Sequence, residues 1–289
     1  METQRLSLMT FPMDVDILNQ TMSIRDVLQL ARQAGIPTVD VMNVQEEQLE
    51  EYGDAIRQTG VRVYTYIMQT SFLGSRRRYR RAVARQLKIA EALGAKYLMI
   101  VPYGSPDGYR AEALGREKVK QRMIEGFRHT VASAKKYGIR VCFETTPHAL
   151  SYLSDAQDCL DVLQSVKGLE FVFDTANMLP SGGDPQDAYE KLKGRISHVH
   201  LKDVVLLPWE RLPKHAEYTP DGKLMAAVVW GEGLIPIQSI YQKMLADGYK
   251  GRFAIEYVHP EYGSDLTAHI SQLNRFLQSA QRQSPVSFN

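Results

Sequence analysis

The sequence predicts a single α/β domain folded as a (β/α)8 TIM barrel. Its 289 residues are many for one ordinary domain, but they fit a barrel of this kind, which typically needs about 250 residues. Short runs rich in β-branched and apolar residues alternate with amphipathic segments along the whole chain. Runs such as KYLMIV and LEFVF are almost continuously apolar, which is typical of parallel strands that are covered on both faces.

Most of the predicted strands follow a glycine, the residue favoured just beyond a helix C-terminus. The first strand is instead the opening run LSLMTF, from Leu6 to Phe11. The other seven begin after Gly35, Gly60, Gly94, Gly138, Gly168, Gly194 and Gly251. Eight strands in this rhythm are the number that closes the barrel.

The segments between the strands predict eight helices. Ser23 is expected to cap the first and Ser154 the fifth, while Asp184 followed by Pro185 is expected to open the sixth. The clearest of the other helical segments are Glu46 to Gln58, Arg76 to Leu93, Ala111 to Lys136, Ile237 to Ala246 and Asp265 to Ser279.

No linker separates these units, so we expect one domain over residues 1–283 and a C-terminal tail over residues 284–289. The widest spacing between predicted elements is Val204 to Pro236, which is rich in Pro, Trp, Tyr and charge. A loop of this length is usually functional. On a barrel it would cover the face at which the strands end.

The composition is that of a soluble globular protein, with 44% hydrophobic and 24% charged residues. A net charge of +2 is too small to indicate a nucleic acid or an acidic partner. The two cysteines, Cys142 and Cys159, make no disulfide framework and favour a reducing, cytoplasmic location. The sequence shows neither a signal peptide nor an apolar run long enough to span a membrane, so no membrane association is expected.

Four consecutive predicted strands end in side chains that bind hard cations. Glu144, Asp174, His200 and Glu256 end strands five to eight, and the carboxyl ends of barrel strands converge on the active-site face. Oxygen and imidazole ligands of this kind suit Mn²⁺ or Mg²⁺, and less surely Co²⁺ or Zn²⁺. Three buried carboxylates without a cation would be costly. The sequence therefore predicts one divalent-metal site.

Each of these residues also has an ordinary structural interpretation. A carboxylate at a strand end is often a helix N-cap, and Asp174 before TANM is the clearest example. His198 shares a strand face with His200, because side chains two residues apart point the same way. We expect His198 to pack and hydrogen-bond inside the barrel rather than to bind the metal.

The motifs around these residues resemble those of the xylose-isomerase-like TIM barrels described as sugar phosphate isomerases or epimerases. The resemblance covers most of the chain. It rests on five motifs that contain the four residues and the segment Gly231 to Ile237, namely CFETT, FVFDTANM, ISHVHLKD, WGEGLIPI and FAIEY. It implies that Glu144, Asp174, His200 and Glu256 bind one divalent metal ion. It also implies that Glu144 and Glu256 exchange protons with the substrate from opposite sides.

The expected activity is a metal-dependent isomerase or epimerase acting on a sugar or keto-polyol. Proton transfer next to a ketone needs a base, an acid and a cation that stabilises the enediolate. If a β-hydroxyl leaves instead, the same machinery is a dehydratase or another lyase, and the sequence leaves these outcomes open. Asn177, His148, Lys202 and Glu232 are expected to contact a small carbohydrate substrate.

The chain departs from the ketose 3-epimerases of this superfamily at three positions. Leu150 stands where they have a glutamate, Leu206 where they have an arginine and Asn177 where they have a histidine. These changes put epimerisation of a free ketohexose in doubt. They indicate a less polar pocket and an aromatic, cyclic or glycosidic substrate derived from a polyol.

Two other functions compete with this interpretation. An abasic-site endonuclease of the same fold needs three metals, but the strand ends Tyr64 to Gln69 and Val101 to Gly104 supply no histidine. The run SRRRYRR, Ser75 to Arg81, is more typical of a solvated helix face or a subunit contact than of nucleic-acid binding. A non-catalytic barrel subunit is the second competitor. The long third and fourth helices, together with family habit, indicate a homodimer or homotetramer.

Overall fold

Eight parallel strands close into a barrel in a computed structural model of the chain. The structure describes residues 5–13, 21–102, 114–145, 153–208, 216–219 and 222–256, together with residues 17, 19, 210, 272, 273, 275–277 and 279. The barrel strands are β1 (Leu6–Met9), β2 (Thr38–Met42), β3 (Arg62–Thr70), β4 (Tyr97–Pro102), β5 (Arg140–Phe143), β6 (Leu169–Asp174), β7 (Ile196–Leu201) and β11 (Arg252–Ile255). Their order around the barrel is β1-β11-β7-β6-β5-β4-β3-β2, which confirms the predicted fold.

Helices alternate with the strands, as the glycine-punctuated pattern predicts. Gly60 ends the second helix with φ 72° and Gly138 precedes β5 with φ 67°, a left-handed conformation that suits glycine. The helices are α1 (Ile24–Gln33), α2 (Leu49–Thr59), α3 (Arg76–Ala92), α4 (Arg116–Ala134), α5 (Ala156–Ser165), α6 (Pro185–Leu192) and α7 (Ile237–Ala246). In the predicted eighth helix, the six described residues 272, 273, 275–277 and 279 are also helical.

The helix caps test the local predictions. Ser23 forms a capping box with Asp26 at the start of α1, and the Asp184 side chain accepts hydrogen bonds from the first turn of α6, so both predictions are confirmed. The predicted cap at Ser154 is wrong. Asp155 caps α5 instead, accepting a hydrogen bond from the Asp158 amide at 2.8 Å, because a carboxylate one residue later is in register with the free amides.

The core has two layers. A large apolar cluster fills the space between the strands and the surrounding helices. A smaller one occupies the barrel interior, and its members are Met9, Met42, Tyr64, Ile67, Tyr97, Met99, Val101, Cys142 and Val172. Both cysteines are buried and free, and burial raises the pKa of each thiol. Cys142 and Cys159 are therefore packing residues rather than nucleophiles.

The connection between β7 and α7 contains regular structure where the sequence predicted a long loop. Strands β8 (Asp203–Leu207), β9 (Ala216–Tyr218) and β10 (Leu224–Val228) form an antiparallel sheet in the order β8-β10-β9. The runs DVVLL and LMAAV are short and apolar, and they pair with each other in continuous register from Asp203–Val228 to Leu207–Leu224. This sheet stands at the carboxyl ends of the barrel strands.

The basic run at the start of α3 lies on the outside of the barrel. Arg76 contacts Glu125 on α4 at 2.6 Å, and Arg80 lies 4.0 Å from the same carboxylate. Part of the run therefore joins two neighbouring helices. Within the described residues, no helix has the length and the apolar character that crossing a membrane requires.

Candidate metal centre

The strand register brings the four predicted ligand residues together. On β6 and β7, Asp174 pairs with His200, while Ala254 on β11 pairs with His200 from the other side, two residues before Glu256. The Glu144 amide donates to the Ile100 carbonyl just beyond β5. One ligand atom from each of the four side chains lies within 4.8 Å of all the others, and all four residues are buried. The structure therefore assembles the set at one point.

His200 and Lys202 lie against the carboxylates. His200 Nδ1 is 2.6 Å from Glu144 Oε1 and 3.0 Å from Glu256 Oε2. Lys202 Nζ donates to Glu256 Oε1 at 2.9 Å and lies 3.9 Å from Asp174 Oδ2. Glu256 is thus held between an imidazole and an ammonium, whereas Glu144 contacts only the imidazole among these cationic groups.

Asp174 caps the backbone turn that follows β6 with one carboxylate oxygen, and its other oxygen can bind a further partner. Its Oδ1 accepts hydrogen bonds from the amides of Ala176 and Asn177, both at 2.7 Å. Its Oδ2 is buried and has no hydrogen-bond partner among the described residues. The capping interpretation and the ligand interpretation are therefore compatible, because they use different oxygens.

The pKa values of the cluster record an excess of buried negative charge. Burial raises the pKa of Asp174 well above its ordinary value, and the carboxylates of Glu256 and Glu144 contribute to the increase. Burial also raises the pKa of Glu144, although His200 opposes the increase. Burial disfavours ionised Glu256 as well, but Lys202 and His200 outweigh it, so the pKa of Glu256 is lowered. The pKa of His200 is raised by Glu144 and Glu256 against the effect of burial.

The residues present fit a divalent cation. Three carboxylates share one buried point with His200 and Lys202, and the unpartnered oxygen of Asp174 needs a positive partner. Oxygen and nitrogen donors with fixed positions are what Mn²⁺, Mg²⁺ or Zn²⁺ binds. Nδ1 of His200 faces the carboxylates and would face the ion, while Nε2 lies on the side of Asp40.

Asp40 is a buried member of this region that sequence reasoning missed. It lies on β2, and its Oδ2 is 3.8 Å from His200 Nε2 and 2.6 Å from His198 Nε2. Its Oδ1 accepts from the Ser7 hydroxyl at 2.9 Å. Burial opposes ionisation of Asp40, but His198 outweighs it and the pKa of Asp40 is lowered. The hydrogen bonds of Asp40 go to His198 and Ser7, and its carboxylate contributes negative charge on the Nε2 side of the His200 ring.

His198 is a structural partner, as expected. Its Nε2 donates to Asp40, and its Nδ1 lies 3.1 Å from the Arg252 carbonyl oxygen. Asp40, His198 and His200 also lie close enough together for a metal group. However, both ring nitrogens of His198 are already engaged by Asp40 and by the Arg252 carbonyl oxygen.

The predicted substrate contacts fall into three groups. Asn177 and Lys202 line the cavity at the strand ends, where the Lys202 ammonium also donates to Asn177 Oδ1 at 3.3 Å. Glu232 is exposed and is not among the described residues that line this cavity, so its substrate contact stays a prediction. His148 lies outside the described residues. Lys202 contacts Glu256 rather than Asp203.

Asp203 organises the loop that contains the GEG motif. Its two carboxylate oxygens accept from the amides of Gly231 at 2.8 Å, Gly233 at 3.1 Å and Ile235 at 3.0 Å. It also accepts from the Val204 amide at 2.9 Å. This carboxylate fixes the loop to the end of β7, which explains why the LKD and GEG motifs occur together.

Replacing Gly233 by alanine is expected to destabilise the protein by about 1–3 kcal/mol. A Cβ at this position would lie 2.1 Å from Asp203 Oδ1 and 2.6 Å from the Val204 carbonyl oxygen, so the loop would have to move off its anchor. Gly194→Ala is the control, because its Cβ would have no atom within 4 Å. Urea unfolding measures both variants, and equal midpoints would contradict the anchoring role.

The cavity above the ligands has one apolar and one polar side. Its volume is about 90 Å³ within the described residues. The polar side consists of Gln69, Glu144, Asn177, Lys202 and Glu256, and the apolar side of Met9, Phe11, Met42, Ile67 and Val101. Phe11 is 43% exposed although it lines the cavity. Leu150 lies outside the described residues and Leu206 is not among the described residues that line this cavity, so the less polar pocket inferred from these leucines stays a prediction.

Comparison with known proteins places this site in a family context. The chain is 28% identical over 140 residues to the inosose dehydratase of Bacillus licheniformis, a match that covers 47% of this chain and 46% of that one. The chain thus spans about half the length of the curated relatives it matches. Its fold resembles the IolI protein with a bound zinc atom (TM-score 0.72, 14% identity, 96% of each chain).

It also resembles the probable 3-DHS dehydratase AsbF of Bacillus anthracis, with a TM-score of 0.72 and 17% identity over 94% of this chain and 99% of that one. At these identities the structural matches show the fold alone. The sequence profile described as "Xylose isomerase-like TIM barrel" matches residues 28–280, a span that includes all four clustered residues. With the closed barrel and this match over most of its length, the chain belongs to the xylose isomerase-like TIM barrel family.

Proposed function

We propose that this protein is a divalent-metal-dependent dehydratase that removes water from a hydroxylated cyclic ketone. The observation that carries the proposal is the convergence of Glu144, Asp174, His200 and Glu256 within 4.8 Å, beside a cavity with one apolar side. The dehydratase names of the inosose dehydratase and AsbF relatives favour loss of water over the isomerisation expected from the sequence.

Glu144, Asp174, His200 and Glu256 would hold one divalent ion. Mn²⁺ and Mg²⁺ suit the three carboxylates, and the zinc in the IolI structure adds Zn²⁺ to the ions to be tested. When bound, the ion would polarise a substrate carbonyl and make the neighbouring C–H more acidic.

Glu256 is the proposed base. The lowered pKa of Glu256 keeps the carboxylate ionised, and Lys202 and His200 fix its two oxygens at 2.9 and 3.0 Å. It would take the proton from the carbon next to the carbonyl. Lys202 would then stabilise the position of Glu256 through both protonation states, with Asn177 as its second acceptor.

Glu144 is the proposed acid. Burial raises the pKa of Glu144, which favours a carboxyl group that can give a proton to a leaving hydroxyl. The C–O bond then breaks, its electron pair leaves with the oxygen as water, and a carbon–carbon double bond forms next to the carbonyl. If the hydroxyl does not leave, return of a proton to carbon is isomerisation or epimerisation.

The cavity favours a small ring with one less polar face. Met42, Ile67 and Val101 offer no hydrogen bonds to substrate hydroxyls, whereas Gln69, Asn177 and Lys202 lie on the other side. A planar or cyclic ketone presents its hydroxyl edge to the polar side and its ring face to the apolar side. We therefore propose a cyclic polyol-derived substrate.

The test combines metal analysis with product analysis in deuterated water. The protein is incubated with Mn²⁺, Mg²⁺ or Zn²⁺ and with an inosose, 3-DHS or a ketohexose. A dehydratase gives a product lighter by one water, with ultraviolet absorbance from the conjugated double bond. His200→Ala is expected to lose both the metal and the product. Deuterium uptake without loss of water indicates the isomerase outcome, and metal binding without either reaction on these substrates contradicts the proposal.

A further inference from the structure

A second cavity lies at the opposite end of the barrel, where the strands begin. Its volume is about 390 Å³, which is within the range of small-molecule sites. The lining includes five cationic side chains: Arg5, Arg62, Lys96, Lys250 and Arg252. The ligand cluster lies at the other end of the barrel, because its members are at or just beyond the carboxyl ends of the strands.

The cationic residues converge because each occupies the same level in the barrel. Arg5 precedes β1, Arg62 begins β3, Lys96 precedes β4, and Arg252 begins β11 after Lys250. Parallel strands in register bring these positions to one rim. No acidic side chain is among the described residues that line the cavity.

An ion pair at the same end of the barrel lies outside the cavity lining. Arg140 begins β5 and pairs with Glu170 at 2.5 Å, but neither residue lines the cavity. Burial lowers the pKa of Arg252, and the positive charges of Arg62 and Arg5 lower it further, while Tyr64 and the Asp40 carboxylate oppose the decrease. The five side chains therefore repel one another across a concave surface.

Two of the guanidinium groups are held in fixed positions. Arg5 donates to the carbonyl oxygens of Gly251 at 3.0 Å and Tyr249 at 2.5 Å. Arg252 Nη1 donates to the Leu6 carbonyl oxygen at 3.3 Å. These contacts fix the orientation of both guanidinium groups at the rim of the cavity.

Aromatic rings form part of the same surface. Arg252 lies 5.1 Å and Lys96 lies 5.3 Å from the centroid of the Tyr64 ring. Such contacts orient cations without neutralising their charge. The cavity thus has the volume of a small-molecule site, guanidinium donors in fixed positions and a cationic lining without an acidic side chain among the described residues. An anion with several oxygens matches all three features.

We propose that this cavity binds a phosphate-type oxyanion carrying more than one negative charge, such as a diphosphate group. Guanidinium groups match phosphate oxygens in geometry and charge, while Lys96 and Lys250 would add point charges at the rim. The bound anion would relieve the repulsion among the five cations and stabilise the closed barrel by mass action. This site is separate from the proposed dehydratase site.

Isothermal titration calorimetry with pyrophosphate and orthophosphate, at constant ionic strength, tests the proposal. We expect one pyrophosphate per chain, bound more tightly than orthophosphate because it engages more of the cations. The double variant Arg62→Gln/Lys96→Gln is expected to bind pyrophosphate at least tenfold more weakly. Both residues are exposed, so the fold should survive, which circular dichroism checks.

The control is Arg25→Gln/Lys118→Gln, which removes the same charge from exposed positions on α1 and α4. It should bind pyrophosphate as the unchanged protein does. His200→Ala should also retain binding, which separates this site from pyrophosphate bound through a metal at the other end of the barrel. Equal affinity in the Arg62→Gln/Lys96→Gln variant, loss of binding in His200→Ala, or no saturable binding would overturn the proposal.

Discussion

Replacing Glu256 by glutamine is expected to lower kcat by about 10³- to 10⁴-fold, in the upper part of the range for general acid–base catalysis. Glutamine keeps the size of the side chain and an oxygen that can accept from Lys202, which lies 2.9 Å from Glu256 Oε1. It removes the basic oxygen next to His200. The reaction therefore loses its proton acceptor while the packing is retained. Steady-state kinetics provides the measurement. The substrate is the one identified by the product analysis in deuterated water.

Two further measurements separate the role in proton transfer from the role in metal binding. Elemental mass spectrometry gives the metal content of Glu256→Gln, and kinetics is repeated at saturating metal. Glu91→Gln is the matched control, because Glu91 is exposed at the end of α3 and should retain full activity. Undiminished kcat in the metal-loaded Glu256→Gln protein would refute the assignment of Glu256 as the base.

Replacing Asp174 by asparagine is expected to change stability in opposite directions with and without metal. In metal-free protein the free energy of unfolding at pH 7 should rise by about 1–3 kcal/mol, as expected when an uncompensated buried polar group is removed. Asparagine keeps the Oδ1 acceptor for the amides of Ala176 and Asn177. With metal at a hundredfold excess over its Kd, the unchanged protein should gain about 2.7 kcal/mol, and the variant should lose that gain.

The pH dependence has a definite sign. Because the pKa of Asp174 is raised in the folded protein, its ionisation costs stability. This cost in stability is absent when the pH is below the pKa of aspartate in the unfolded chain, about 3.9. It grows as the pH rises and is complete once the pH has passed the pKa of Asp174 in the folded protein. The pKa of His200 is also raised, so its stabilising contribution is complete below about pH 6.5 and is lost as pH rises through its folded pKa. Both effects lower the stability of metal-free protein as pH rises.

Chemical denaturation of metal-free protein between pH 5 and 8 measures this dependence. Asp174→Asn should show a flatter profile, since only the His200 contribution remains of the two. Asp187→Asn is the control, because Asp187 is exposed on α6, and it should shift stability by no more than about 0.5 kcal/mol. Destabilisation of metal-free Asp174→Asn at pH 7 would mean that the aspartate is already compensated.

The barrel and the ligand cluster were predictable because their signals are local. A glycine followed by an apolar run marks every barrel strand after the first, and the end of the run shows which side chain reaches the active-site face. Asp174 illustrates the limit of such reasoning, since its position was compatible with a cap and with a ligand. Its Oδ1 accepts from two amides whereas its Oδ2 has no hydrogen-bond partner among the described residues, and only this difference shows that the two roles are compatible.

Asp40 could not be identified in the same way. An aspartate inside the apolar strand TVDVM is an unusual residue, but its partner His198 is 158 positions away in the sequence. Their contact depends on closure of the barrel, which no local pattern encodes. The antiparallel sheet formed by β8, β9 and β10 escaped prediction for a related reason: its strands pair across a long connection whose polar and aromatic residues suggest irregular structure.

All four members of the ligand cluster lie at residue 144 or later, on or just beyond β5, β6, β7 and β11. During synthesis the set is therefore incomplete until the last barrel strand and Glu256 have emerged from the ribosome. A metal ion added to a refolding chain would find its full coordination only at the final closure step. It should consequently slow unfolding more than it speeds folding. In this architecture, metal binding would therefore follow closure of the barrel and stabilise the folded state, and it would not direct the order in which the strands assemble.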